Sequence, residues 1–292
     1  MSKQPTKQAE PKVQTINNAP PVTKNAVALP AKANLPTQME DFEEHSGAGL
    51  ETVNSSDMLI PRLGIIQKLS PQLDKNEPEY IKEAKESDIC DIGMGQLFPE
   101  GVIFLPVLYR KEWLEWAPRS TGKGIVHTHA TDAILQQCIQ NEKKQWVLPN
   151  KNIIMETAQW FGFNLSADAR PCFIPMASSQ LKRSKKWIAL ATSEKLPRKD
   201  GTEFVAPLWY RSYHLEGTVP ESNEEGKWFG WKVERGANIM ELEAAGVIGN
   251  WKDLKFKALE FFDRLATGKA HADNSTIETE ANIAAARNSG AM

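Results

Sequence analysis

The sequence is short of most features that announce a function. It has three cysteines, Cys90, Cys138 and Cys172, an odd number at wide spacing, in 292 residues. That excludes a disulfide scaffold and fits a reducing compartment. No apolar run approaches the ~20 residues a membrane-spanning helix needs. The N-terminal Met-Ser-Lys-Gln-Pro has no apolar core of the secretory kind, so the expected location is the cytoplasm. There is no excess of basic charge. The formal net charge is −2, which excludes a protein that coats duplex DNA by bulk charge but leaves room for a local basic face. C-x-x-C, H-E-x-x-H and EF-hand patterns are missing, as are G-x-S-x-G and a phosphate-binding glycine loop. His127-Thr128-His129 with Cys138 nine residues on is a weak metal set. The carboxylates Glu112, Glu115 and Asp132 have no spacing that demands Mg²⁺. No cofactor and no catalytic residue are expected. Tyrosine is sparse at four, whereas there are nine tryptophans and eleven phenylalanines. Most Trp serve a core, and one or two are candidates for stacking platforms.

Composition divides the chain. Residues 1–54 form an expected disordered arm. Its first 38 residues are rich in Pro, Ala, Gln, Asn, Lys and Thr and carry five Lys against one Glu. A segment like this cannot bury enough surface to offset its ordering entropy. The stretch from Glu40 to Asp57 then turns acidic, with no Lys or Arg. Residues 55–267 are expected to fold, and 268–292 to form a flexible tail.

Within the folded part the patterning favours strands. Gly101–Trp116 is the clearest, dense in apolar residues, with Pro106 implying a bulge, edge or bend. Glu156–Leu165, Pro171–Met176, Ala206–Val219 and Gly226–Glu234 follow, the last two as a long hairpin. Two short strand candidates lie between Lys144 and Met155. Helices are expected at 130–143, at 180–191 with Ser178 or Ser179 as the cap, at 239–246, and at 251–266 with Gly268 as the stop. Many strands with few helices predict a mainly β, α+β domain. It would be an OB-like antiparallel barrel with peripheral helices and disordered arms at both ends.

Cations and flat rings recur together. The densest run is Lys182-Arg183-Ser184-Lys185-Lys186-Trp187 on an expected helix, where Lys182 and Lys186 lie one turn apart. Three further clusters fall on strand candidates: Arg110-Lys111 with Trp113 and Trp116, Trp209-Tyr210-Arg211-Ser212-Tyr213-His214, and Lys227-Trp228-Phe229-Gly230-Trp231-Lys232. Strand alternation puts Trp209, Arg211 and Tyr213 on one face. Single-strand binders need this combination, because cations track phosphates while aromatic faces stack bases without reading sequence. The expected phosphate contacts are Lys182, Arg183, Lys185, Lys186, Arg110, Lys111 and Arg211. The expected stacking residues are Trp187, Trp209, Tyr213, Trp231 and Trp113.

Four blocks also carry a family resemblance: Met58–Leu63, Phe104–Trp116, Ser179–Trp187 and Gly226–Glu234. They resemble the single-stranded DNA-binding proteins of short-tailed bacteriophages over residues 55–267. The resemblance implies an OB-fold and coating of single-stranded DNA in phage replication and recombination, in the host cytoplasm. It also implies work beside a phage DNA polymerase and a helicase-primase, with no catalytic residue, no obligatory cofactor and no enzymatic activity; a homodimer is a separate expectation. One departure is the tail Ala281–Met292, which is nearly neutral and lacks a terminal aromatic. Two other readings compete: a phage structural or assembly protein whose aromatics are all core, and a metal-dependent nuclease.

Overall fold

The computed structural model describes residues 60–118, 121, 124–223 and 226–272, together with Gly49. Packing separates residues 1–52 from 53–292, and the description concerns the second unit. The expected N-terminal arm with its acidic segment, Gly49 apart, and the tail from 273 onward lie outside the described residues.

The architecture is mainly β. Three short strands, β1 (Leu63–Ile65), β2 (Ile89–Asp91) and β3 (Gln96–Phe98), form an antiparallel sheet in that order. The main sheet is built on β4 (Val102–Trp116), β5 (Ile125–His129), β6 (Ile139–Gln140), β7 (Trp146–Val147), β8 (Ile153–Asn164) and β9 (Arg170–Ala177). Its helix α1 (Leu181–Thr192) leads to a small ribbon of β10 (Lys195–Pro197) and β11 (Glu203–Val205), then to the hairpin β12 (Arg211–Asn223) and β13 (Gly226–Asn238). Two helices, α2 (Ile239–Ala244) and α3 (Trp251–Ala266), close the described chain. The sheet order is β13-β12-β4-β8-β7-β6, with β5 also paired to β4 and β9 to β8. Every pairing in it is antiparallel, and the sheet curls into a half-barrel.

Each face of this sheet holds a core because its central strands alternate apolar residues to both sides. Val102 and Phe104 of β4 join Trp160, Ile174, Met176, Tyr213, Leu215 and Trp231 beneath α1. Leu105 and Val107 join Phe161, Phe163 and Phe173 beneath α2 and α3. Pro106 lies at a register irregularity that runs to Leu108, since proline cannot donate to the ladder. The irregularity reverses the alternation, so Leu108 faces the α3 side and Tyr109 the α1 side. Gly162 pairs with Pro106. A Cβ there would strike the Leu105 carbonyl and come within 2.6 Å of the Phe104 ring.

Two local expectations change. Residues 130–143 make only a 3-10 turn at Asp132–Gln137, followed by β6. None of that turn is buried, and a helix of this length needs a packed face to persist. The strand expected from Ala206 begins at Arg211, because Leu208–Tyr210 form a 3-10 turn after Pro207. The helix expected at 251–266 is found at those bounds, with Asn250 capping it through the Lys252 amide.

Candidate nucleic-acid interface

Helix α1 is amphipathic across three turns. Ser184, Trp187 and Ala191 are buried, and Leu181 and Ile188 flank them. Trp187 is sealed, with its indole stacked on Trp160 at 4.0 Å and meeting Phe104 and Tyr213 edge-on at 5.8 and 5.4 Å. Trp160 Nε1 donates to Ser184 Oγ at 2.9 Å.

Polar ties then lock the helix to the β12–β13 hairpin. Arg183 Nε donates to Glu221 at 2.8 Å, and Trp228 Nε1 donates to the same carboxylate at 3.0 Å and to Ser179 Oγ at 3.2 Å. Gln180 Oε1 accepts from the Trp231 amide. At the far end Arg235 donates to the Leu190 carbonyl and Ser193 Oγ, while Arg211 holds Glu194 at 2.7 Å. Burial works against ionisation of Glu221, but its donors outweigh that and hold the carboxyl below the usual range. The Arg211 hydrogen bond does the same for Glu194.

The opposite side of α1 is open. Lys182, Lys185 and Lys186 are exposed, and none has an ion-pair partner among the described residues. Leu181 lies one turn before Lys185 and lines a groove of about 690 Å³. The groove exists because of a gap in strand pairing. β9 ends opposite Thr157 and β7 begins opposite Ile154, so among the described residues Met155 and Glu156 have no strand partner on that edge. Lys143, Lys144, Trp146, Ile154 and Ser178 complete the lining. Trp113 sits across from Glu156 on β4, on the same face. Lys111 is paired with Glu156 at 2.8 Å and lies 5.9 Å from the centre of the Trp113 ring.

The residues expected to bind therefore separate. Lys182, Lys185, Lys186, Lys111 and Trp113 share the α1 side. Arg183 and Arg211 lie there too, but their guanidiniums are engaged by Glu221 and Glu194. Trp187, Tyr213 and Trp231 form the core beneath the helix, each at most 4% exposed, and present no free face to a base. Arg110 and Trp209 belong to the other side of the sheet. Arg110 lies over Phe161 and 2.6 Å from Glu112, and Trp209 packs with the α3 core near Lys255. Trp209 and Tyr213 do not share a face, because Trp209 sits in the 3-10 turn and the pairing slips between Arg211 and Tyr213. Trp146 and the Lys143-Lys144 pair lie outside the clusters expected to bind, although the run Lys143-Lys144-Gln145-Trp146 carries the same cation-and-ring signature.

The model of the Pam3 phage gp34-like protein family matches residues 28–247, well over half of the chain. The chain belongs to that family. The family's description places it among phage proteins and names no activity. No curated protein and no solved structure matches the chain.

The candidate metal and nuclease residues do not converge. The rings of His127 and His129 stand 6.2 Å apart, and His129 Nε2 is hydrogen-bonded to Glu115 at 2.8 Å. Burial opposes ionisation of Glu115, yet hydrogen bonds from Asn152, His129 and Asn150 hold it ionised below the usual range. Glu112 points to the opposite face of β4, where burial pushes its carboxyl up. Among the described residues one trio, His214, Glu216 and Glu234, brings ligating atoms within 4.8 Å of each other. The Lys232 ammonium already bridges both of its carboxylates at 3.2 Å. All three cysteines are free thiols. No described helix is long and apolar enough to cross a membrane.

Proposed function

We propose that this protein binds single-stranded nucleic acid without chemistry, as a single-stranded DNA-binding protein of phage replication or recombination. The observation that carries this reading is the set of Lys182, Lys185 and Lys186, without an ion-pair partner among the described residues, on a helix held by its core beside an open groove lined by Trp146, with Trp113 paired to Glu156 on the same face of the sheet. The lysines suit a phosphate track, and the two indoles suit base faces. A helix fixed by its core and by half-buried ion pairs presents those charges with little ordering cost on binding. The OB-like reading of the curled sheet belongs to the same proposal, since small curved antiparallel barrels recur as oligonucleotide platforms. Phage polymerase and helicase-primase remain the proposed partners, and the host cytoplasm the proposed site of action.

The test is fluorescence anisotropy of a labelled oligo-dT titrated with the full chain at several salt concentrations. Binding that weakens steeply with salt is expected. Replacing Lys182, Lys185 and Lys186 by Gln lowers the slope of log K against log salt by about 2, at roughly 0.7 per single-strand phosphate contact. Trp146→Ala costs about 1–3 kcal/mol of affinity if the ring stacks a base. Absence of binding at low salt overturns the reading and leaves a phage assembly protein as the alternative.

A further inference from the structure

Helix α3 carries more large apolar side chains than the sheet covers. Leu254, Ala258, Phe261 and Leu265 face the core. Phe256, Leu259 and Phe262 do not, and they are 70%, 42% and 40% exposed. At spacings of three they form one stripe along the outer flank of the helix. Single exposed apolar residues are ordinary, but three aligned on one element mark an interaction surface.

The charges around the stripe select its occupant. Lys255 lies four residues before Leu259 and Asp263 four residues after it. Both therefore lie on Leu259's side of the helix, one turn to either end. A second copy of α3, run antiparallel about a two-fold axis at Leu259, sets Lys255 level with Asp263 of the partner subunit, twice by symmetry. The same operation sets Phe256 level with Phe262 of the partner subunit. A parallel pairing instead brings like charges together at both positions. We propose that the chain forms a two-fold dimer through this face of α3, with Leu259 on the axis.

The closed symmetry is the common solution for a self-complementary patch. A 16-residue helix is about 24 Å long. One helix pair of that length falls short of the ~800 Å² per partner of a standard interface, so the dimer is concentration-dependent. α3 packs on the sheet face opposite α1, so pairing leaves both grooves open. The proposal does not rest on the nucleic-acid reading.

Sedimentation equilibrium and light scattering on the full chain, from low to high micromolar, test it. The expected mass rises from that of one chain to that of two. Leu259→Glu and Phe256→Ser hold it at one chain with an unchanged thermal melt, because both residues lie outside the core. Asp263→Lys weakens the dimer several-fold, and adding Lys255→Asp restores it. A single-chain mass at every concentration overturns the proposal, as does a dimer indifferent to Leu259→Glu or a charge swap that restores nothing. Co-sedimentation with anionic vesicles that Leu259→Glu abolishes, with no dimer seen, overturns it in favour of a lipid surface.

Discussion

Replacing Trp187 by Ala separates a core anchor from a base-stacking ring, the two roles its neighbourhood of lysines leaves open in sequence. Its side chain is fully buried, stacked on Trp160 at 4.0 Å and edged by Phe104 and Tyr213. Truncating a buried Trp costs about 3–5 kcal/mol in transfer and cavity terms. Aromatic pairs add about 0.5–1.5 kcal/mol beyond area, so the upper end of that range applies here. A domain holds only about 5–15 kcal/mol in total, so W187A should stand near the edge of unfolding in water. Trp187→Phe is the control. The indole Nε1 is buried without a hydrogen-bond partner among the described residues, so Phe forfeits no bond and loses only volume, about 1–3 kcal/mol. Urea denaturation followed by far-UV circular dichroism measures both. If W187A lost under about 1 kcal/mol of stability, yet bound oligonucleotide far more weakly, the ring would be a ligand contact and the packing argument would be wrong.

Two further perturbations test the sheet and its charges. Gly162→Ala sets a Cβ against the Leu105 carbonyl and 2.6 Å from the Phe104 ring; the strands must part, at about 1–3 kcal/mol or more, and an unchanged urea midpoint would sink the close-approach argument at Pro106. Stability should also fall on acidification. Glu115, Glu194 and Glu221 titrate below the usual glutamate range in the fold, so the unfolded chain binds protons first as pH drops. Their contribution is complete above about pH 4.3, the unperturbed value, and disappears as pH falls through the depressed folded values. Glu112, raised by burial, acts in the opposite sense but is one group against three. Urea midpoints from neutral pH downward, with Glu194→Gln flattening part of the decline, check this. A flat profile in the wild type would contradict it.

What was legible in the sequence follows periodicity. The β4 segment, the Pro106 irregularity, the β12–β13 hairpin and the bounds of α3 could be read because their alternation or 3.6-residue spacing is undiluted. The helix expected at 130–143 does not form because its apolar residues are few and none of the turn at 132–137 is buried. Trp209 departs from the face that alternation assigns it for a local reason. Alternation holds only inside a strand, and the 3-10 turn after Pro207 delays its start to Arg211. The groove itself could not be read, since it arises where β9 stops and β7 starts along β8, a property of pairing over long separations. Ion pairing was equally hidden. Arg183 and Arg211 have the same sequence appearance as Lys182, yet Glu221 and Glu194 reach them from distant elements.

The division of labour on α1 explains why a run of cations and a ring misleads when read as one unit. A helix on a sheet has one face for the core, and in 181–192 the residues able to fill it are Leu181, Trp187, Ile188, Leu190 and the small Ser184 and Ala191. Without Trp187 the helix has no large anchor and no reason to sit where it does. The lysines occupy the other arc because a charged side chain beneath the helix would be desolvated without a partner. Trp187 and Lys182, Lys185 and Lys186 are thus adjacent because they are opposite, with the ring fixing the helix and the helix aiming the charges. Any base-facing aromatic must then come from a different element that borders the same arc. Trp146 on β7, which lines the groove together with Leu181 of α1, meets that condition, and Trp187, the ring inside the cation run, does not.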